Sequence, residues 1–382
     1  MKILFNRQEL SNVITPLLCA VGKSTNASTE GILLEATEQD SCIMTTYDLE
    51  KGIRITVPCR VEEPGKCIIN ANKFSQTVRV MEGDEIELSV SEKMIANIVC
   101  GTSSHKMNAL SAEDFPEIPR LSGNNGFILS QATLKKMFAK VSFAMGINDQ
   151  RAVLNGCYVN ITQDRLEMVS CDSFKLAKCS ATVQPEKISN EAIDFRFIVP
   201  SKTVNELCRL LSDDEEEKVT VYVSHKNVVL QTEKLIIFSR LINGDYIDYN
   251  RFIIHTHKIS IEVNRQHLLS ALERAALITE DKVAGAVKSY VKLRIEGDLL
   301  KVLADSAYGS TYDEVPVTHE GEDLLIAFSN RYLMECMRAS DAQNLRIDLS
   351  SPLAGINIQP ADAEKNEEEE EFFMLLPVRI KE

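Results

Sequence analysis

Read for polarity alone, the chain alternates between two kinds of stretch. Runs such as Ile86-Glu87-Leu88-Ser89-Val90 and Val219-Thr220-Val221-Tyr222-Val223 place apolar residues at every second position. That is the mark of a strand with one buried and one wet face. In the first third, the pattern predicts a strand over 1–5, a helix, and strands near 30–36, 41–46 and 51–57. A strand over 65–70, a helix over 72–81 and strands at 85–90, 94–100 and 104–109 follow. The sequence then runs through the same order twice more, with helices near 131–145 and 201–211, and near 264–278 and 330–340.

Three ordered blocks make the repetition explicit. Leu10-Ser11-Asn12-Val13, Glu30-Gly31-Ile32-Leu33-Leu34-Glu35 and Thr45-Thr46-Tyr47-Asp48 correspond to Leu134 to Met137, Asn155 to Asn160 and Val169-Ser170-Cys171-Asp172. The third set is Leu268 to Ala271, Ser289 to Arg294 and Val302-Leu303-Ala304-Asp305. Asp48, Asp172 and Asp305 lie 124 and then 133 residues apart, a period long enough for each unit to bury its own core. The expected fold class is α+β: three tandem domains over 1–123, 124–255 and 256–382, each with two helices packed together and about eight strands in sheets outside them. Similar exits, Leu110 to Pro119 and Leu241 to Tyr249, mark the ends of the first two. Before the last strand of the third stands an acidic insertion, residues 364–371, whose five consecutive glutamates predict a mobile surface loop.

Composition narrows the class. Ten cysteines with no pair closer than eight residues exclude C-x-x-C spacing and predict reduced thiols in a cytoplasmic protein. No run approaches a membrane span and the first residues form no secretory signal, so no membrane partner is expected. No phosphate-binding glycine loop, dinucleotide fingerprint or nucleophile elbow occurs, so no enzymatic activity, catalytic residue or cofactor is expected. His255 and His257 lack a third ligand motif and read as strand residues rather than a metal site. The aspartate repeated once per domain reads as a turn residue at a strand end.

Charge is unevenly shared. The chain carries −14, yet the six predicted helices and their ends hold Arg7, Lys23, Lys73, Arg79, Lys135, Lys136, Lys140, Lys202, Arg209, Arg265, Arg274, Arg331 and Arg338 against only Glu9, Glu206, Glu273 and Glu335. A net +9 on the helices points to one surface facing a polyanion. Helices about 9 Å apart and about 10 Å thick leave no room for duplex DNA in a ring of six, whereas twelve leave a hole of about 24 Å. Two chains in a ring therefore fit a duplex, and one chain does not.

With the threefold repeat, the Leu154-Asn155-Gly156 step, the Asp172-Ser173-Phe174-Lys175-Leu176 loop and the ending Leu375-Leu376-Pro377-Val378-Arg379-Ile380, the whole chain resembles the bacterial DNA polymerase III beta subunits, the sliding clamps. The resemblance implies a head-to-tail homodimer, two chains closing a ring, loaded around duplex DNA by an ATP-driven clamp loader. It would tether the replicative polymerase for processivity and recruit repair proteins. It also implies a pocket between domains two and three for peptides of the type Gln-Leu-Ser/Asp-Leu-Phe. One wall would hold Leu154, Cys171, Ser173, Phe174, Lys175, Leu176, Ile247, Arg251, Phe252 and Val283. The other would hold Ser329, Tyr332, Leu353, Gly355, Met374, Leu375, Leu376, Pro377, Val378 and Arg379. Apolar slots of this kind take the Leu and Phe anchors, and rim groups fix the backbone. Ser173, Phe174 and Lys175 depart from the family's common Asp-Gly-His-Arg-Leu loop, and Ile247 stands where proline is common, so peptide preference should differ.

DNA contacts implied are Lys23, Lys73, Arg79, Lys135, Lys136, Lys140, Asn148, Gln150, Arg151, Lys202, Arg209, Arg265 and Arg338, to phosphate rather than to bases. Ala152 and Val153 replace the aromatic residues that relatives often carry after the arginine. The dimer interface would use Lys73 and His105 on one side and Leu277 and Ile278 on the other. Two competing classes, a peptide scaffold and a sequence-reading regulator, account less well for the chain. The first needs no basic helices, and the second lacks a helix-turn-helix or zinc module.

Overall fold

The protein is described by a computed structural model over residues 1–22, 26–118, 125–279, 290–306, 309–362 and 368–380. Six α-helices are found among these residues: α1 (Arg7–Leu17), α2 (Ala71–Val80), α3 (Gln131–Ser142), α4 (Ser201–Leu210), α5 (Arg265–Thr279) and α6 (Asn330–Ala339). Each begins directly at the end of a strand, and the switch is chemical. Asn6, Asn70 and Asn264 each accept a hydrogen bond from the backbone N–H three residues on, satisfying an orphan donor at the start of α1, α2 and α5. Pro16 lies in the last turn of α1, which passes into a short 3₁₀ turn at Leu18–Ala20.

Cα packing divides the chain into two compact units. The first comprises Met1–Ala132, Glu186–Glu191 and Arg209–Leu241, and the second the remaining segments. The middle repeat is therefore shared between them. Within the first unit α1 packs on α2 and on the strands Ser41–Tyr47 and Lys51–Pro58. A 14-stranded sheet, antiparallel throughout its described pairs, runs through this unit. Within the second unit α5 packs on α6 and on the strands Leu299–Ser306 and Gly309–Glu320 of a 12-stranded sheet.

The strand predictions fall within a residue or two of the observed bounds, and Arg60–Glu63 adds a strand that the pattern did not suggest. Two strand pairings join one repeat to the next. Lys51–Pro58 pairs with Leu235–Arg240, Ile55 facing Leu235 and Lys51 facing Ser239. Lys175–Thr182 pairs with Glu369–Leu375, Lys175 facing Leu375 and Ala181 facing Glu369. This second pairing corrects the expectation of a mobile acidic loop over 364–371. Glu369, Glu370 and Glu371 open a strand, while 363–367 lie outside the described residues. The ten cysteines are free thiols, seven of them buried.

Candidate peptide slot and basic helices

The slot is built from a turn. Asp172 Oδ1 accepts from the N–H groups of Phe174 (2.7 Å) and Lys175 (2.8 Å), and Asp172 N–H donates to the Lys175 carbonyl. The tight turn throws Phe174 into solvent and tucks Lys175 inward, its side chain only 5% exposed. Asp48 makes the same bonds to Glu50 and Lys51, so two copies of the repeated aspartate are turn formers. Asp305 departs from them: it lies within a strand and takes the Lys292 ammonium at 3.3 Å.

Beneath the turn, Leu154, Cys171, Leu176, Phe372 and Met374 form one buried cluster, with Val153, Tyr246, Ile247, Tyr249 and Ile253 packed against it. Two tyrosines fix the covering segment. The Tyr246 hydroxyl accepts from Cys171 N–H (3.1 Å) and its ring stacks on Tyr158, while the Tyr249 hydroxyl donates to Glu167 (2.6 Å). Burial pushes the Cys171 thiol up to about 11, with Asp172 adding to it, so this thiol is neutral and packs as an apolar group.

The far wall comes from α6. The Tyr332 ring lies 6.2 Å from Phe174, and Lys175 Nζ sits 4.4 Å from the Tyr332 centroid and 5.5 Å from that of Phe143. Lys175 donates to Glu335 at 2.5 Å, tying the turn to the helix. A cavity of about 510 Å³ adjoins this gate, with Phe143, Ile147, Phe174, Tyr332 and Glu335 among its lining.

Leu376 N–H donates to the Phe174 carbonyl (2.8 Å) and Val378 N–H to the Ala327 carbonyl (2.7 Å), so the chain ending runs past both walls. Pro377 is half-buried there, and Arg379 is exposed. Gly355 permits that approach, since a Cβ there would lie 3.1 Å from Leu376 Cδ2.

Other expected slot residues fall elsewhere. Leu375 is a core residue on the opposite strand face from Met374, with Phe373, whose ring meets Phe143 edge-on. Ser329 is half-buried at the start of α6, opposite Tyr290. Leu353 and Phe252 are exposed, and Arg251 is exposed and paired with Asp248 at 2.7 Å. Val283 lies outside the described residues. The residues that sequence comparison missed are Phe372, Val153, Tyr246, Tyr249 and Ile253. Period-two counting back from Met374 would have found Phe372.

The basic residues divide. The helices hold twelve basic against four acidic residues, a net +8, since Lys23 lies outside both the helices and the described residues. Lys73, Arg79, Lys202, Arg209 and Arg338 are exposed, and Lys135 is half-buried. Arg79 reaches the Thr15 hydroxyl and Arg338 pairs with Glu273. Two expectations are corrected. Lys140 is buried with Glu371 at 2.7 Å, and Arg265 donates to the Ala342 and Met337 carbonyls beyond and at the end of α6. Both spend donors on the protein itself.

Asn148, Gln150 and Arg151 stand exposed on a turn in which Asn155 bonds both backbone groups of Asp149, and Asn148 adopts φ +55°. The bonded Arg151 guanidinium and backbone N–H hold the Asp149 carboxyl below its usual range. Lys73 and His105 line an open cavity of about 570 Å³ with the exposed Val80. Leu277 is 78% exposed, and Ile278 beside it is half-buried.

Three tandem two-helix domains with antiparallel sheets, a basic set of helices and an apolar cluster beside an aromatic pair define a clamp-type protein. The chain belongs to the DNA polymerase III beta subunit family: models of its N-terminal, central and C-terminal domains match residues 1–119, 128–248 and 251–371. It is 27% identical over 343 residues to the beta sliding clamp of Halalkalibacterium halodurans, covering 89% of this chain and 88% of the relative. It is 24% identical to that of Bacillus subtilis, covering 99% and 100%. Among solved structures, the Bacillus subtilis sliding clamp superimposes with a TM-score of 0.90 at 23% identity, with full coverage of both chains. A Pseudomonas aeruginosa sliding clamp bound to griselimycin gives 0.87 at 25%, again with full coverage.

Proposed function

We propose that two copies of this chain close head to tail into a ring around duplex DNA, hold the replicative polymerase on its template and recruit loader and repair proteins through the slot. The observation that carries this is the pattern of strand pairing. In the first junction the strand after the repeated aspartate (Lys51–Pro58) pairs with the last strand of the next repeat; in the second, Lys175–Thr182 does the same. The third copy's equivalent, Gly309–Glu320, has no described partner on its outer edge over 309–316, nor has the last strand of the first copy over 103–108. A free edge is a template for another chain.

Pairing one copy's 103–108 with another's 309–316 would set His105 and Lys106 near Asp313 and Glu314, with Val80 and Leu277 to cover. Such a contact is heterologous, so it must close into a ring or run on as a filament, and twelve helices enclose a duplex with room for water. The domain limits at 123/124 and 255/256, the cytoplasm as its compartment, and Lys73, Arg79, Lys135, Lys202, Arg209, Arg338 and the Asn148–Arg151 turn as phosphate contacts belong to the same proposal. The slot would take a Leu/Phe-anchored peptide. Among the described residues no helix is long and apolar enough to cross a membrane.

The test is retention on nicked circular DNA after loading by a cognate loader and ATP. Protein that withstands high salt on the circle and slides off once the circle is linearised is a closed ring. Equal loss from both forms would refute the ring.

A further inference from the structure

The acidic strand does something that joining two repeats does not require. Strand alternation puts Glu370, Phe372 and Met374 on the slot face and Glu369 and Glu371 on the face toward α3. Lys136 Nζ lies 2.8 and 2.9 Å from the two Glu369 carboxylate oxygens. Lys140 Nζ lies 2.7 Å from Glu371, 3.8 Å from Asp341 and 3.9 Å from Glu369. The match is metric: four residues of helix rise about 6 Å and two residues of strand about 6.7 Å, so two lysines one turn apart meet two carboxylates in register.

The first junction supplies an internal control. The positions 124 residues before Lys136 and Lys140 are Asn12 and Pro16. There the helix and the pairing strands leave a cavity of about 640 Å³, lined by Asn12, Pro16, Thr56, Leu235 and Ile236 among others. The junction forms without a lysine–glutamate ladder.

The two rungs differ. Lys140 and Glu371 are buried and anchor the strand, whereas Lys136 and Glu369 are 45% and 43% exposed. An exposed pair is weak and exchangeable. Resting on the reading that α3 faces DNA, we propose that Glu369 is a built-in phosphate surrogate: it occupies Lys136 until a DNA phosphate displaces it, so that α3 grips the duplex less tightly than its charge would allow. Every exchange of carboxylate for phosphate conserves the ion pair, which suits a ring that must move along its track.

The experiment measures affinity of the full chain for a short duplex by fluorescence anisotropy across a salt series. Glu369→Gln should tighten binding roughly three- to tenfold at low salt, a gain that shrinks as salt screens the pair it removes, while Lys136→Gln should flatten the slope of log K against log salt by about 0.9, the loss of one phosphate contact. The gain should vanish in the Lys136→Gln/Glu369→Gln double variant, measured against Lys136→Gln. It should be absent in Glu370→Gln, which removes the same charge from the other strand face. Unchanged affinity in Glu369→Gln, an unchanged slope in Lys136→Gln, an equal gain in Glu370→Gln, or a gain that persists without Lys136 would each overturn the proposal. Loss of wild-type retention on circular DNA would instead overturn the ring, so the two failures are distinguishable.

Discussion

Glu335→Leu tests how the slot's gate is held. The Lys175 ammonium is almost wholly removed from water, and its partners are the Glu335 carboxylate at 2.5 Å and the faces of Tyr332 and Phe143. Removing one member of a buried pair costs about 3–5 kcal/mol, because the other charge is left unpaired. Two features reduce that here. Glu335 is itself partly exposed and shared with Arg331 at 3.5 Å, and the two rings retain about 1 kcal/mol of cation–π attraction. The expected loss is therefore about 2–3 kcal/mol, or roughly 30- to 150-fold in a local opening equilibrium. Hydrogen exchange of the amides of 174–182 and 331–338 reads it directly. Peptide affinity should fall alongside, because the ion pair that ties the Phe174 turn to the helix carrying Tyr332 is gone. The double variant Lys175→Met/Glu335→Leu removes the stranded charge and places a thioether between two rings, so protection should return to within about threefold of wild type. Exchange unchanged in Glu335→Leu, or a double variant no better protected than the single, would refute the account.

Other consequences are more quickly stated. Met374→Ala truncates a buried slot residue and should cost about 2–3 kcal/mol of local stability and at least about tenfold in binding of a Gln-Leu-Ser-Leu-Phe peptide, read by calorimetry. Leu277→Asp places a charge on the proposed interface and should leave sedimentation at the 42.7 kDa of one chain where wild type sediments as two. The Asp149–Arg151 pairing lowers the folded-state pKa of an aspartate from 3.8, so its contribution is complete above that value and is lost as pH falls through the depressed one. Exchange protection of 146–155 should thus drop in acid below about pH 4, and Asp149→Asn should remove that pH dependence.

Much of this architecture was written locally. Asparagine at three of the strand ends that lead into helices, period-two strands and an aspartate turn in the first two copies are short-range signals, and the strand and helix order recurs three times, which averages out local noise. What failed was long-range. Five glutamates in a row repel one another when considered alone, yet Glu369 and Glu371 enter a strand because Lys136 and Lys140, some 230 residues earlier, neutralise them. For the same reason Lys140 and Arg265 looked like free surface cations: the carboxylate and carbonyls that capture them belong to distant segments. The slot was legible where it follows the repeated loop and the chain ending. Tyr246 and Tyr249 were not, since their roles depend on where the segment between repeats lies against Cys171 and Glu167.

The two junctions differ in side chains in a way that explains why the proposed docking slot lies at the second. Four residues past the repeated aspartate stand Gly52 in the first and Leu176 in the second, facing Phe238 and Met374 across equivalent strand pairs. One residue before the aspartate stand Tyr47 and Cys171. In the first junction the Tyr47 ring lies against Gly52, where even a Cβ would come within 2.9 Å of it, and its hydroxyl donates to the Leu49 carbonyl. Arg54 caps Phe238 at 5.5 Å. The chain's own aromatics thus fill the place. In the second junction the small Cys171 cannot reach across, and the apolar surface of Leu176 and Met374 is covered by Val153 and the segment from Tyr246 to Ile253, with the gate of Phe174 and Tyr332 at its side. The backbone pairing is the same in both, so the difference between a structural seam and the proposed recognition site is one of side-chain volume at four positions.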